Sequence, residues 1–137
     1  MRSKKIIIDT NIWISFLITK DFCFLDQYIE KGKLKLVFSK ELYNEFLDVV
    51  ERPKFKKYFH KSDIQHLTRI IDKFGILIEV TSQVEKCRDL KDNFLLNLAI
   101  DSDADFLVTG DLDLLEIKEI NQTRVLKIKD LEEILTR

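Results

Sequence analysis

The stretch that decides the fold is KKIIID, residues 4–9, close to the start of the chain. Three consecutive isoleucines, with no alternation of polar and apolar side chains, favour a strand that is buried on both faces. Such strands occur in parallel sheets, because the helical crossovers between parallel strands cover both sides of the sheet. The run ends on a carboxylate, Asp9. We therefore expect an α/β fold with an acid at the carboxyl end of its first strand.

Strand-like and helix-like segments alternate along the rest of the chain. Strands are predicted at residues 4–9, 34–38, 76–80, 106–109 and 125–128. Helices are predicted at residues 22–31, 40–51, 62–74 and 92–100, with a last helical segment from residue 130. Ser39 is suited to cap the second helix, and Pro53 prevents its continuation. This order predicts a single domain over residues 1–137, a three-layer α/β/α sandwich with a central, mainly parallel five-stranded sheet.

The composition bounds the function. Lys and Arg number 23 and Asp and Glu 24, so the net charge of −1 gives no overall affinity for nucleic acid, and any such contact needs a local patch. Cys23 and Cys87 are far apart and lack zinc-site spacing, which predicts neither a disulfide nor a zinc centre. No segment resembles a signal peptide or a membrane span. We expect a reduced, cytoplasmic protein with no membrane partner.

Two acids follow predicted strands directly, Asp9 after the first and Asp111 after the strand at 106–109. Parallel strands with right-handed crossovers place their carboxyl ends at one edge of the sheet, where ligands bind in folds of this type. Both side chains should therefore face the same crevice. The alternative is that each carboxylate merely accepts backbone hydrogen bonds in its own turn.

Further acids are candidates for the same crevice. Glu45 lies at the margin of the apolar stripe of the predicted helix at 40–51, where a carboxylate needs either a Lys or Arg partner or a cation. Asp92 opens the next apolar helix, where it can act as an N-cap and still bind a metal. Asp89 and Asp113 are additional acids close by in the sequence.

Four segments carry a resemblance to a known family. They are IIIDTN (6–11), ELYNEFLDVV (41–50), RDLKDNFLLNLA (88–99) and ADFLVTGDLDLL (104–115). In this order they resemble PIN-domain proteins, in particular the bacterial branch that contains toxin components of toxin–antitoxin pairs. The resemblance covers Lys4 to about Ile128. Leu90 and Trp13 depart from the family pattern, which usually has proline and a small aliphatic residue there, and this affects loop geometry more than the proposed ligands.

The resemblance implies a ribonuclease that uses Mg²⁺ or Mn²⁺, with a cognate antitoxin and a second copy of the chain as partners. Carried over by position, the catalytic and metal-binding roles fall on Asp9, Glu45, Asp92 and Asp111. Supporting roles fall on Asn11, Thr109, Asp89 and Asp113.

The chemistry of these residues agrees with such a metal. Two carboxylates ~4 Å apart repel each other by ~4 kcal/mol at an effective dielectric of ~20, and a divalent cation removes that repulsion. Oxygen ligands without a histidine cluster select Mg²⁺ or Mn²⁺ over zinc, and His60 and His66 are expected at the surface. The sequence leaves open whether one or two metal ions act.

A basic and aromatic stretch is the candidate for RNA binding. Its cations are Arg52, Lys54, Lys56, Lys57 and Lys61. Phe55, Tyr58 and Phe59 alternate with them, and an exposed ring could stack on a base while lysines follow the phosphates. The alternative is a solvated surface whose rings pack inward.

Two other functions remain open. A phosphoacceptor receiver domain is also a parallel α/β sheet with acids at strand ends, and Lys127 or Lys129 could act as its late lysine, but Glu45 would have no role there. A PIN-like module that binds RNA or protein without cleaving it is the other.

Overall fold

The isoleucine run forms the middle of a sheet, as the sequence predicts. In the computed structural model, strand β1 (Lys4–Ile8) lies between β2 (Leu34–Phe38) and β4 (Phe106–Val108) and pairs in parallel with both. Its three isoleucines are fully buried. The structure describes residues 3–19, 23–58, 60–83 and 90–136. The α/β class and the mainly parallel central sheet are thereby confirmed.

The sheet has six strands in its described part, one more than predicted. The remaining strands are β3 (Gly75–Leu77), β5 (Glu119–Ile120) and β6 (Thr123–Leu126), and the spatial order is β3-β2-β1-β4-β6-β5. Only β5 and β6 pair antiparallel. A two-residue strand such as β5 is too short to show a period, which is why the sequence does not predict it. Within the β5–β6 hairpin, the last parallel strand, β6, begins at Thr123, two residues before its predicted start.

Eight helices are present among the described residues. They are α1 (Thr10–Thr19), α2 (Cys23–Glu30), α3 (Lys40–Val50), α4 (Pro53–Lys56), α5 (Lys61–Phe74), α6 (Leu90–Ser102), α7 (Leu112–Ile117) and α8 (Ile128–Leu135). None of the described helices is long and apolar enough to cross a membrane.

Helix α1 is the main element that the sequence does not predict. It follows β1 after a single residue, and its sequence, TNIWISFLIT, is apolar on nearly every side. It therefore lacks the amphipathic period on which a prediction depends. Trp13 and Ile14 are buried in the core. The shorter helices α4 and α7 escape prediction because each spans less than two turns.

Local signals place most helix ends. The Ser39 hydroxyl accepts a 3.1 Å hydrogen bond from the backbone N–H of Leu42, which confirms Ser39 as the N-cap of α3. Helix α5 starts one residue earlier than predicted, at Lys61, and the backbone N–H of its N-cap, His60, donates to the Asp63 carboxylate at 3.0 Å. Gly75 is required by close packing, because a Cβ atom there would collide with the Ile71 carbonyl.

The strand register determines which residues meet at the carboxyl edge of the sheet. Ile8 lies opposite Val108 in the β1–β4 pair, and the backbone N–H of Asp9 donates to the Val108 carbonyl at 2.9 Å. Asp9 and Thr109, the next residues along, therefore leave the sheet side by side.

Candidate functional site

The carboxylate of Asp9 lies directly against the end of β4. The Thr109 hydroxyl donates a 2.8 Å hydrogen bond to Asp9 Oδ2. Asp9 is 7% exposed and Thr109 is fully buried. A carboxylate so placed is almost shielded from solvent, which disfavours its charged form.

Asp111 is the second acid at this edge, and it caps helix α7. Its Oδ1 accepts hydrogen bonds from the backbone N–H groups of Asp113 at 2.8 Å and Leu114 at 3.4 Å. Its own backbone N–H donates to the Thr109 hydroxyl at 3.1 Å. One threonine oxygen therefore holds both the Asp9 side chain and the Asp111 backbone.

Asp9 also begins a helix, since its carbonyl accepts from the backbone N–H groups of Ile12 at 3.0 Å and Trp13 at 3.3 Å in α1. The Asp9 carboxylate accepts from the backbone N–H groups of Asn11 and Thr10, so both strand-end acids realise the hydrogen bonding expected of acids in turns. The two roles are compatible, because each carboxylate keeps further oxygen lone pairs after these bonds.

Burial is the main cause of a raised pKa at the Asp9 carboxyl. The Thr109 hydroxyl and the backbone N–H groups of Asn11 and Thr10 oppose this, while the negative charge of Asp111 raises the pKa further. The outcome is a pKa above the ordinary aspartate value. A positive charge beside Asp9 would stabilise its ionised form and lower this pKa.

Glu45 reaches the site through a residue that the sequence analysis overlooked. The Thr10 hydroxyl donates a 3.0 Å hydrogen bond to Glu45 Oε2. Thr10 is buried, and Glu45 is half-buried on α3 beside the buried Phe46. The sequence offers one signal for Thr10: it is a polar residue that directly follows Asp9, the acid at the end of the first strand.

The remaining acids are placed less directly. Asp92 is half-buried in the first turn of α6, although the helix begins at Leu90, so Asp92 is not the N-cap that the sequence suggests. Asp113 is half-buried in the first turn of α7, and Asn11 is exposed in α1. Asp89 lies outside the described residues.

Within the described part of the chain, no group of three or more His, Cys, Asp or Glu side chains is arranged to hold a metal by itself. Hydrogen bonds of the Thr109 hydroxyl join the Asp9 side chain to the Asp111 backbone, and the Thr10 hydroxyl holds Glu45. Asp92 lies in the first turn of α6. His60 and His66 are exposed, as expected.

The basic stretch surrounds α4, just after the end of α3. All five of its cations are exposed. Tyr58 is 49% exposed with Lys57 Nζ 5.1 Å from its ring centroid, whereas Phe55 packs partly against the core. Phe59 lies outside the described residues. Of the two described rings, Tyr58 is therefore exposed and available for stacking, whereas Phe55 packs inward.

Three comparisons relate this chain to known proteins, and one of them names a family. A family model described as the PIN domain matches residues 5–113. The uncharacterized protein MJ1680 of Methanocaldococcus jannaschii is 30% identical over 137 residues, covering 93% of this chain and 82% of that protein. The crystal structure of PAE2754 from Pyrobaculum aerophilum has a TM-score of 0.58 at 17% identity, over 97% of this chain and 90% of that one, and shows the fold alone. Because the family match runs from the first strand past both strand-end acids, the chain belongs to the PIN-domain family.

Proposed function

We propose that this chain is a metal-dependent endoribonuclease, a hydrolase that cleaves phosphodiester bonds in RNA. PIN domains are typically nucleases. The observation that carries the proposal is the meeting of Asp9 and Asp111 at the ends of neighbouring strands, with the pKa of Asp9 raised by burial and by the charge of Asp111. Perturbed acids that converge in this way are common at catalytic sites.

The donor set fits a hard divalent cation, Mg²⁺ or Mn²⁺. All of its side-chain donors are oxygens, and the buried Asp9 carboxyl is a group whose ionised form a cation would stabilise. Mg²⁺ is usually held by one or two carboxylates together with waters and substrate phosphates. A closed cage of protein ligands is therefore not required.

We assign Asp9, Glu45, Asp92 and Asp111 to hold the cation, which in turn would bind the scissile phosphate. When bound, the cation supplies a water of lowered pKa and neutralises charge on the phosphate. Thr109 and Thr10 orient the acids through the hydrogen bonds described above. Asn11, Asp113 and Asp89 are proposed to support the same edge.

Single-stranded RNA is the proposed substrate. The exposed cations Arg52, Lys54, Lys56, Lys57 and Lys61 can follow its phosphates, and the Tyr58 ring is open to stacking on a base. Glu45 lies only five residues before the end of α3, ~7.5 Å along the helix axis. A short single strand could therefore reach both the basic surface and the acids.

The biological role we propose is that of the toxin in a toxin–antitoxin pair, acting in the cytoplasm, with an antitoxin protein and a second copy of this chain as partners. The support is the resemblance of its ordered motifs to that branch of the family. Induced expression should then arrest growth, and Asp9→Asn should relieve the arrest. Growth unaffected by active enzyme would exclude a toxin while leaving the nuclease in place.

The nuclease proposal is tested by cleavage of a fluorescently labelled single-stranded RNA in Mg²⁺, Mn²⁺ or EDTA. Cleavage should require the metal and should fall at least ~100-fold in Asp9→Asn, the loss expected when a group that stabilises the transition state is removed. Glu45→Gln should also impair cleavage. Glu41→Gln is the matched control, because Glu41 is exposed in the first turn of the same helix.

Each other outcome has a meaning. Binding of RNA with no cleavage in any metal would identify a non-cleaving PIN-like module. Equal activity of Asp9→Asn and the wild type would refute the assigned site. The family match favours a PIN domain over a phosphoacceptor receiver, and a phosphoryl adduct after incubation with acetyl phosphate would reverse that choice.

A further inference from the structure

Strand β3 lies at one end of the strand order. Among the described residues it pairs only with β2, so its other edge is open there. The backbone N–H of Ile78 donates to the Phe38 carbonyl of β2 at 2.8 Å. Because successive residues of a strand point their N–H and C=O groups to opposite sides, those of Leu77 face away from β2. The Leu77 side chain is 71% exposed, and residues 75–77 of β3 carry no charge, so nothing in the described part of the chain covers or blocks this edge.

A cavity of about 320 Å³ adjoins this edge. Its walls are largely apolar and include Phe38, Ile71, Ile76 and Leu77. The volume lies at the lower end of the range for ligand pockets, ~300–1,000 Å³, and suits one or two side chains rather than a cofactor. The cavity and the open backbone together form what we call the β3 groove.

Charge in the β3 groove has one sign. Asp72 is the only ionised group among the lining residues, and it makes no ion pair with the described part of the chain. Burial raises the pKa of the neighbouring Tyr43, and the negative charge of Asp72 raises it further. The groove therefore favours a cation beside Asp72 and disfavours a phosphate backbone.

We propose that the β3 groove binds an extended peptide segment of a partner protein, which adds a strand next to β3. The partner's backbone pairs with Leu77, one apolar side chain fills the cavity, and a lysine or arginine lies beside Asp72. Strand addition of this kind obtains affinity from the backbone and specificity from pockets for alternate side chains. The inference is independent of the nuclease proposal.

A tryptophan that packs against a lining residue of the groove can report on its occupancy. The ring of Tyr43 packs edge-on against Phe38 at 6.1 Å, and Phe38 stacks on Trp13 at 6.1 Å. Trp13 is the single tryptophan of the chain. A peptide that fills the cavity should therefore change the fluorescence of Trp13 through Phe38.

The test is a titration of the whole protein with a short synthetic peptide of alternating valine and lysine, capped at both ends. The matched probe replaces each lysine with glutamate. Leu77→Pro removes only the outward N–H, and proline is tolerated on an edge strand in that position. Leu77→Lys keeps the backbone intact but places a charge on the edge. Circular dichroism checks that each variant is folded.

The lysine peptide should change Trp13 fluorescence saturably, and the glutamate peptide should not. Leu77→Pro should weaken binding by about tenfold, as loss of one hydrogen bond implies. Leu77→Lys should weaken it as well, because its charge repels the lysines of the peptide. Asp72→Asn should remove the preference for lysine. Equal binding by folded Leu77→Pro, or no binding of either peptide, would overturn the proposal. So would a dimer of this chain that Leu77→Pro disrupts, since the groove would then belong to a second copy, and so would RNA that competes for it.

Discussion

The hydroxyl of Thr109 donates a 2.8 Å hydrogen bond to the carboxylate of Asp9, 100 residues away in the sequence. The same oxygen accepts a 3.1 Å hydrogen bond from the backbone N–H of Asp111. A single buried hydroxyl thus sets the spacing of the two strand-end acids. Its removal should alter both stability and chemistry.

Thr109→Val should lower the free energy of unfolding by ~1–3 kcal/mol, because the partly buried Asp111 N–H and a buried Asp9 oxygen lose their partner. Removing this donor also raises the pKa of Asp9 further, since the Thr109 hydrogen bond lowers it. The acid limb of the pH profile for RNA cleavage should therefore move to higher pH. Chemical denaturation and cleavage rates against pH measure the two effects.

Thr123→Val is the control for that substitution. The Thr123 hydroxyl is also fully buried and donates to the Ala104 carbonyl at 2.6 Å, away from the acids. Its loss should cost stability while leaving the pH profile in place. An equal shift in both variants would mean that Thr109 acts only through stability.

Asp9→Asn should stabilise the metal-free protein at neutral pH. The folded pKa of Asp9 is raised above the unfolded value of ~3.9, so its contribution to stability is present in full below that value and is lost as the pH rises through the folded pKa. An uncharged amide avoids that loss. Thermal unfolding should give a higher Tm for the variant at pH 7 and a smaller difference near pH 4.

The same experiment with Mn²⁺ should reverse the order of the two proteins. A bound ion at ~100 times its Kd adds ~2.7 kcal/mol to the wild type. Asp9→Asn should gain little. A wild-type Tm that is insensitive to millimolar Mn²⁺ and Mg²⁺ would argue against the metal site.

Replacing Lys54, Lys56 and Lys57 by Ala should weaken binding of single-stranded RNA and flatten its dependence on salt, because fewer counterions are released. The effect of Mn²⁺ on Tm should not change. Fluorescence anisotropy at several salt concentrations measures the slope.

The control triple variant replaces Lys31, Lys33 and Lys35, which removes the same charge. Lys33 and Lys35 lie at the start of β2, opposite to the edge that carries the acids, and all three lysines are exposed. If both variants lost the same RNA affinity, the effect would reflect the total charge of the protein and not a binding surface around α4.

Asp101 should make stability depend on pH in the opposite sense to Asp9. Its carboxylate accepts hydrogen bonds from the Ser82 hydroxyl and from the backbone N–H groups of Ser82 and Thr81, the last at 2.6 Å. These bonds, the Ser82 hydroxyl first, hold the pKa of Asp101 below its ordinary value. The stability that they confer is present above ~3.9 and is lost as the pH falls through the folded pKa.

Asp101→Asn should accordingly lower Tm at pH 7 and matter less below pH 4. Asp103→Asn is the matched control on the exposed turn after α6, since its side chain caps no loop and asparagine tolerates the positive φ of 53° at that position. A pH-independent loss in Asp101→Asn would show that packing, not ionisation, dominates.

The parts of the fold that sequence predicts are those with strong local signals. The isoleucines of β1 and the hydroxyl of Ser39 each produce a pattern that depends on a few neighbouring residues. Helix α1 has no such pattern, because its own apolar residues occupy nearly every side of the helix. Helix α5 starts at Lys61, one residue before its predicted start, because the Asp63 side chain accepts a hydrogen bond from the N-cap His60, three residues back.

The site shows a similar division. The order of strands and the acids at their ends follow from the sequence, so that Asp9 and Asp111 could be expected at one edge. The two threonine hydroxyls depend on side chains from distant segments, Thr10 to Glu45 and Thr109 to Asp9. Sequence periodicity carries no information about such contacts. The resemblance to PIN-domain proteins points to Thr109 but not to Thr10.

The register between β1 and β4 also sets when the acids can work during synthesis. The chain emerges from its amino end, and Asp9 has no Thr109 or Asp111 beside it until the hundred residues that follow have been made. A nascent or truncated product that ends before β4 should therefore be harmless to nearby transcripts, however well its first strands have collapsed. If the proposed nuclease activity holds, the translating ribosome would carry an inactive product until β4 has emerged.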